Sequence, residues 1–430
     1  MMPESHYPLF TVIIPQKDRA EYIGWTLRTC MIQDYPNFEV IVSDDCSVDN
    51  SVEVITELAR QDSRIKLFAH KSHLGMRDNF EFALSQVKSG YVMALGGDDG
   101  LTPGCIWRMY ELLTQTGRQL LTWPMSGYIY PREAGGSGTF YVRRSKTDDI
   151  RIIKSEDFLN SIARNFKYHP NDLCPMFYMK GVAALELVNR VKTRSPDGCF
   201  YYCPTPDGFS GVVLAGEVED YVYSPEPLSI SGTTSKSQGQ NYRRTDKKSR
   251  EEAEQFFNDN VRRTMHRELA SQPYSPLIPL MTADYLLTCR DLPGWPGKFE
   301  MFSFESLLRA SFSFIETSSY EIEVLVRELN ILKEIAKQHH LEALFDELYR
   351  TTKVRKYQGK TVNGFALTHS VRFNATELGI NNIYDAALAT RFVYKFFQKI
   401  SLKEMIKMVD NTFTLYINTK RYKKCNLPEI

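Results

Sequence analysis

Tyr91-Val92-Met93-Ala94-Leu95-Gly96-Gly97-Asp98-Asp99 sets five apolar residues against two glycines and two aspartates. A short apolar run bounded by turn residues reads as a buried strand. The glycines let backbone approach a ligand closely, and adjacent carboxylates supply hard oxygen ligands for Mn²⁺ or Mg²⁺. Asp and Gly are also ordinary turn residues. The meaning of the segment therefore depends on what else reaches the same place.

Working outward, the chain before Tyr91 alternates apolar runs with amphipathic stretches. Strands are predicted at Leu9–Ile14, Glu39–Val42, Ile65–Ala69 and Tyr91–Leu95, with helices over Glu21–Gln33, Val52–Arg60, Asp78–Val87 and Ile106–Leu113. Strands of this length separated by helices of about ten residues imply βαβ units, a mostly parallel sheet and right-handed crossovers that put helices on both faces. The expected fold is an α/β, doubly wound sheet, and ligands in such sheets bind beyond the carboxyl ends of the strands. The segments leaving those ends are Pro15-Gln16-Lys17-Asp18-Arg19, Asp44-Asp45-Cys46-Ser47, His70–Gly75 and Gly96-Gly97-Asp98-Asp99. Three of the four are acidic, so one cleft gathering carboxylates is predicted.

Val12-Ile13-Ile14-Pro15, Lys17-Asp18-Arg19, the stretch Val42-Ser43-Asp44-Asp45-Cys46-Ser47-Val48-Asp49-Asn50-Ser51 and the later Gly97-Asp98-Asp99 together resemble the opening of family-2 glycosyltransferases. That resemblance covers about the first 115 residues and implies a GT-A-like fold and an inverting transfer from a nucleotide-sugar, most simply a UDP-sugar. By position it implies that Pro15, Lys17 and Asp18 line the nucleoside pocket and that Asp45 reads the base. It further implies Asp98 at the ribose or metal and Asp99 at the metal, with Mn²⁺ or Mg²⁺ as cofactor. The chain departs from the family pattern at Lys17, where Tyr is usual, at Asp18, where Asn is usual, and at Gly96, which replaces the first Asp of Asp-x-Asp. His73-Leu74-Gly75 is similar to the family's Asn-x-Gly, and reads equally as a turn before a helix.

An inverting transfer needs a base for the acceptor hydroxyl. Pro204-Thr205-Pro206-Asp207-Gly208-Phe209-Ser210 resembles a Pro-Asp segment that supplies it in a subset of the family, which makes Asp207 the expected catalytic residue and Asp197 the second choice. Asp207 also suits the start of a helix over Phe209–Leu214. Between the two, Tyr201 or Tyr202 can bound an acceptor sugar or simply fill the core. The Ser/Thr/Gly-rich Leu228–Ser237, with Lys236 and then Arg243 and Arg244, reads as a loop closing over a diphosphate or as a linker.

From about Ser249 the pattern becomes helical, over Arg250–Leu269, Tyr320–Gln338, His340–Tyr349 and Ile383–Lys399, with Pro273, Pro276, Pro279, Pro293 and Pro296 breaking the region between. The expected organisation is a GT-A-like domain over 1–235, a linker or active-site loop over 236–248, and a mainly α-helical C-terminal domain over 249–430. Net charge is +1, which does not point to nucleic acid. It divides unevenly, with 23 Lys+Arg against 29 Asp+Glu in residues 1–235 and 30 against 23 thereafter. Phe392, Phe396, Phe397, Ile400 and Leu402 are interleaved with Arg391, Lys395, Lys399, Lys403 and Lys407, and Lys420–Lys424 follow. Such a segment packs on its own domain or lies on an anionic membrane, where lipid-linked acceptors reside. Eight scattered cysteines, no leader-like N-terminus and no apolar run of spanning length predict a cytoplasmic protein, at most peripheral to a membrane. Glycan or lipid-linked acceptors are the expected second substrate. A sugar nucleotidyltransferase is disfavoured because the first loop has no glycine; a non-catalytic nucleotide- or glycan-binding module draws its support from Gly96.

Overall fold

The computed structural model of the protein describes residues 7–131, 137–143, 149–203, 205–237, 251, 264–318, 320–357, 364–366, 370–398 and 422–429. The first half opens as β1 (Phe10–Gln16), α1 (Ala20–Met31), β2 (Phe38–Asp44), α2 (Ser51–Gln61), β3 (Ile65–Ala69), α3 (Met76–Ser85) and β4 (Tyr91–Ala94). All seven lie within a few residues of the expected spans. β5 (Gly100–Leu101), α4 (Cys105–Thr116), β6 (Leu120–Thr122), β7 (Ser126–Ile129), β8 (Thr139–Arg143), β9 (Arg151–Lys154) and α5 (Ser155–Asn165) follow. The half closes with β10 (Gly181–Ala184), α6 (Leu185–Arg194), α7 (Pro206–Gly216), β11 (Asp220–Tyr223) and β12 (Ser229–Thr233).

Eight strands form the central sheet in the order β3-β2-β1-β4-β10-β6-β11-β9. β3, β2, β1 and β4 are parallel neighbours, whereas β10 runs antiparallel to both β4 and β6. β1, β2 and β4 are buried on both faces, with Val12, Ile13 and Ile14 of β1 fully covered, as expected where crossover helices flank a sheet, whereas the edge strand β3 is partly exposed. A second sheet, not foreseen from the sequence, is ordered β14-β15-β8-β7-β12-β5. β4 ends in the first sheet and β5 begins in the second, so the Asp98-Asp99 turn joins the two.

The later chain forms α8 (Ile278–Asp291), α9 (Phe304–Glu316), α10 (Ile322–Gln338), α11 (Glu342–Thr351), β13 (Lys353–Tyr357), β14 (Gly364–Ala366), β15 (Ser370–Asn374), α12 (Ile383–Gln398) and β16 (Tyr422–Asn426). The expected helix over Arg250–Leu269 lies mostly outside the described residues; its end is a short 3₁₀ turn at Arg267–Leu269. Pro279 does not interrupt a helix but sits in the first turn of α8, where its missing N–H would have had no intrahelical partner. α8 packs on α7 and α5. One continuous buried cluster runs from Ile13 and Ala94 through Phe209 and Val213 of α7 to Leu286, Leu308, Leu332 and Val354. β15 pairs with β8, and α12 lies against α1 and β12. No helix among the described residues is long and apolar enough to cross a membrane.

Candidate active site

Within the loops after β1 and β2 the side chains divide into those that hold the loops and those that face outward. Asp44 is buried and accepts hydrogen bonds from the Ser47 N–H at 2.9 Å, the Ser47 hydroxyl at 2.6 Å and the Gln16 amide. Ser47 Oγ in turn accepts from the Asp18 N–H at 2.8 Å, and Asp18 Oδ1 accepts from the Val48 N–H at 2.8 Å. Asp18 and Cys46 both have positive φ, 52° and 58°; this stitching holds two sharp reversals that L-residues otherwise avoid. Pro15 is a buried residue of β1 opposite Ser43. Lys17 reaches across to His73, with Nζ 3.1 Å from Nδ1.

Asp45 carries different contacts. Its carboxylate accepts from the Leu74 N–H at 2.6 Å and the Gly75 N–H at 3.2 Å, and lies 2.8 Å from His73 Nδ1. The His73-Leu74-Gly75 turn thus wraps Asp45 and brings the third loop to the second.

Asp98 and Asp99 are both buried, yet they do different things. Asp99 Oδ2 accepts from the Gly96 N–H at 2.7 Å and Oδ1 from the Gly232 N–H of β12 at 2.9 Å, while the Tyr178 hydroxyl also bonds to it. Asp99 is therefore the clamp between the two sheets. Burial, followed by the charge of Asp98, pushes its carboxyl up to about 7. Asp98 Oδ2 accepts from the Thr234 hydroxyl at 3.1 Å. Burial raises this carboxyl too, opposed by the Arg19 guanidinium and the Thr234 and Ser237 hydroxyls. Two adjacent buried carboxylates, both shifted toward the neutral form, form a site that a cation would stabilise.

Gly96 has a steric cause. A Cβ built there would lie 2.5 Å from the Tyr178 hydroxyl oxygen and 2.8 Å from Asp99 Oδ2, well inside contact distance. The place a first aspartate would take is filled by the Asp99 clamp. Likewise a Cβ on Gly232 would fall 1.8 Å from the Asp98 carbonyl oxygen, so only glycine lets β12 close on this turn.

The segment after β12 is latched in both directions. Arg19 Nη2 donates to the Lys236 carbonyl at 2.9 Å, and Lys236 Nζ donates to the Asp18 carbonyl at 2.8 Å. Arg243 and Arg244 lie outside the described residues.

Asp207 stands in the first turn of α7, behind Pro206, where the helix N-terminus favours a carboxylate. Burial nevertheless raises its pKa, with the Gly208 N–H opposing, and Oδ1 has no hydrogen-bond partner among the described residues. Tyr178, absent from the sequence reading, bonds to Asp99 through its hydroxyl. Burial and then the charges of Asp99, Asp98 and Asp207 push its hydroxyl well above the usual phenol range, so Tyr178 keeps its proton and donates. Asp197 is occupied elsewhere: it pairs with Arg77, accepts from the Ser195 hydroxyl at 2.7 Å, and is held below the usual carboxylate range by these bonds against a desolvation that raises it. Tyr201 is core, while the Tyr202 hydroxyl donates to Asp284 at 2.8 Å.

The loops at the carboxyl ends of the parallel strands bring Asp45, Asp98 and Asp99 to one edge of an α/β sheet, with Arg19 and Lys236 beside them, the edge at which such sheets hold their ligands. Residues 11–167 match the model of the family described as Glycosyl transferase family 2. An uncharacterized glycosyltransferase of Haemophilus influenzae is 32% identical over 151 residues, 35% of this chain and 59% of its own length. The GalNAc(5)-diNAcBac-PP-undecaprenol beta-1,3-glucosyltransferase of Campylobacter jejuni is 32% identical over 100 residues, 23% of this chain and 32% of that protein. The chain spans about half the length of the curated relatives it matches. The crystal structure of S. aureus TarS 1-349 with UDP-GlcNAc aligns at a TM-score of 0.46 and 16% identity, over 82% of this chain and 94% of that one.

Proposed function

We propose that the protein transfers a sugar from a nucleotide-sugar, best a UDP-sugar, to a hydroxyl of a glycan or lipid-linked acceptor, with inversion at the anomeric carbon. The observation that supports it most is a short chain of contacts: the Ser210 hydroxyl donates to the Asp207 carbonyl at 2.6 Å and accepts from the N–H of Phe177 at 3.1 Å, and the hydroxyl of the next residue, Tyr178, bonds to Asp99. Asp45, Lys17 and Asp18 bind the nucleoside. Asp207 takes the proton from the acceptor hydroxyl as its oxygen bonds to the anomeric carbon, the bond from that carbon to the diphosphate breaks, and the nucleoside diphosphate departs with the electron pair. Arg19 and Lys236, already at the mouth of the site, offset the charge on the departing diphosphate.

Among the described residues no three His, Cys, Asp or Glu side chains gather as a complete metal cage. The residues fit the other kind of site, in which Mg²⁺ or Mn²⁺ is held by one or two carboxylates and completed by substrate phosphates and water. Asp98 would hold the ion, with Asp99 behind it, and the ion would supply charge neutralisation of the diphosphate.

The proposal is tested by turnover of a panel of nucleotide-sugars with divalent metal; absence of transfer and hydrolysis from all of them, with UDP still bound, favours the non-catalytic binding module. Asp45→Ala should weaken UDP by at least about tenfold, about 1.4 kcal/mol, in calorimetric titration. Unchanged affinity would remove Asp45 from the nucleoside pocket.

A further inference from the structure

α12 starts beside the active-site turn. Ile383 donates its N–H to the Tyr130 hydroxyl at 3.1 Å and packs within 3.2 Å of the Cβ position of Gly100, the residue after Asp99. One face of the helix is buried through Ile383, Ala386, Ala387, Thr390 and Tyr394, spaced three and four apart as a packed helix requires. The opposite face leaves Leu388, Phe392 and Phe396 42%, 73% and 41% exposed, with the two phenyl rings parallel within 13° and 6.4 Å apart.

Three large, partly exposed apolar side chains four residues apart form a stripe along a helix already anchored from behind. Lys395 is exposed beside it, and Arg391 on the flank is fixed by donating to the Pro103 carbonyl at 2.5 Å. The sequence continues the basic spacing every fourth residue at Lys399, Lys403 and Lys407. The last acidic residue of α12 is Asp385, in its first turn. An apolar stripe flanked by cations complements an anionic lipid surface, where aromatic side chains enter the acyl boundary and cations meet headgroup phosphates.

We infer that Leu388, Phe392 and Phe396 of α12 seat the protein on an anionic membrane, with Lys395 at the headgroups. The cleft next to the start of the helix then faces the lipid–water boundary. The surface itself stands independently of the chemistry; that the acceptor is lipid-linked rests on the transferase reading.

The test is co-flotation of the full chain with phosphatidylcholine vesicles, with and without about one third phosphatidylglycerol. Wild type should float with the anionic vesicles and be released by about 0.5 M salt. Phe392→Ser with Phe396→Ser should lower the bound fraction by at least roughly tenfold, and Lys395→Glu should lower it less. Thermal stabilisation by UDP, measured on the same proteins, should not change, which also shows that the variants fold. Wild type left unbound by both vesicles, or a double variant that floats like wild type, overturns the inference. So does a wild-type dimer that the double variant dissolves while neither protein floats. Flotation without UDP stabilisation removes the transferase reading and keeps the membrane face; UDP stabilisation without flotation does the reverse.

Discussion

Asp207→Asn is expected to lower sugar transfer by about 10²- to 10⁴-fold, the usual worth of a positioned general base, while nucleotide affinity stays within about twofold. The change is nearly isosteric and keeps the first turn of α7, so the aromatic packing of Tyr168 and Tyr285 beside it is preserved. It removes only the ability to take a proton at an oxygen that has no other partner among the described residues. Because burial raises the Asp207 carboxyl, wild-type transfer should fall as pH drops through a value above the ordinary carboxylate range. That limb should vanish in the variant's residual rate. Transfer rates at saturating donor across pH, beside UDP titration, make the measurement; full activity in the Asp207→Asn variant would send the search for the base elsewhere.

The second large effect is expected at Asp99→Ala. Asp99 satisfies the N–H groups of Gly96 and Gly232, and both would be left buried without a partner, at a cost of about 1–3 kcal/mol each. The turn between the sheets would loosen, and transfer should fall at least about a hundredfold because Asp98 rides on the same turn. The effect on stability has a defined pH dependence. With its folded-state pKa raised to about 7, Asp99 binds more protons in the native state than in the unfolded chain between roughly pH 4 and 7. Its contribution to stability is therefore complete below the unfolded value and is lost as pH rises through 7. The destabilisation caused by Asp99→Ala, read from urea midpoints, should be larger at pH 5 than at pH 8. A constant difference would mean that Asp99 titrates as an ordinary carboxylate.

The first four strands and their helices were legible because each is a short apolar run beside a helix with one apolar face, and the contacts that hold them are between chain neighbours. The second sheet was not legible. β5 is two residues long, Gly100–Leu101, and its partner Ser229-Ile230 is far away in sequence, so neither carries a periodic signal. α8 was obscured by Pro279, which marks a break by composition but a beginning by position. At the site, the acidic loops were evident, yet their division of labour was not. Asp44 and Asp45 are adjacent and chemically alike; only the strand's alternation turns one to Ser47 and the other to Leu74 and Gly75. Tyr178 lies in Phe177-Tyr178-Met179, a run that reads as interior, and only the fold brings its hydroxyl to Asp99. Gly96 looked like a missing ligand, whereas the geometry gives its place to Asp99 and Tyr178.

The buried cluster that passes without interruption from β1 through α7 into α8–α11 bears on how the molecule comes apart. Phe209 and Val213 of α7 share one interior with Leu286 and Leu308, and α7 also carries Asp207. Severing the chain after the last central strand would strip the apolar back from the helix that aims the base. Heating should melt both halves in one cooperative event, so substitutions deep among the later helices would register as lost turnover without ever touching a substrate.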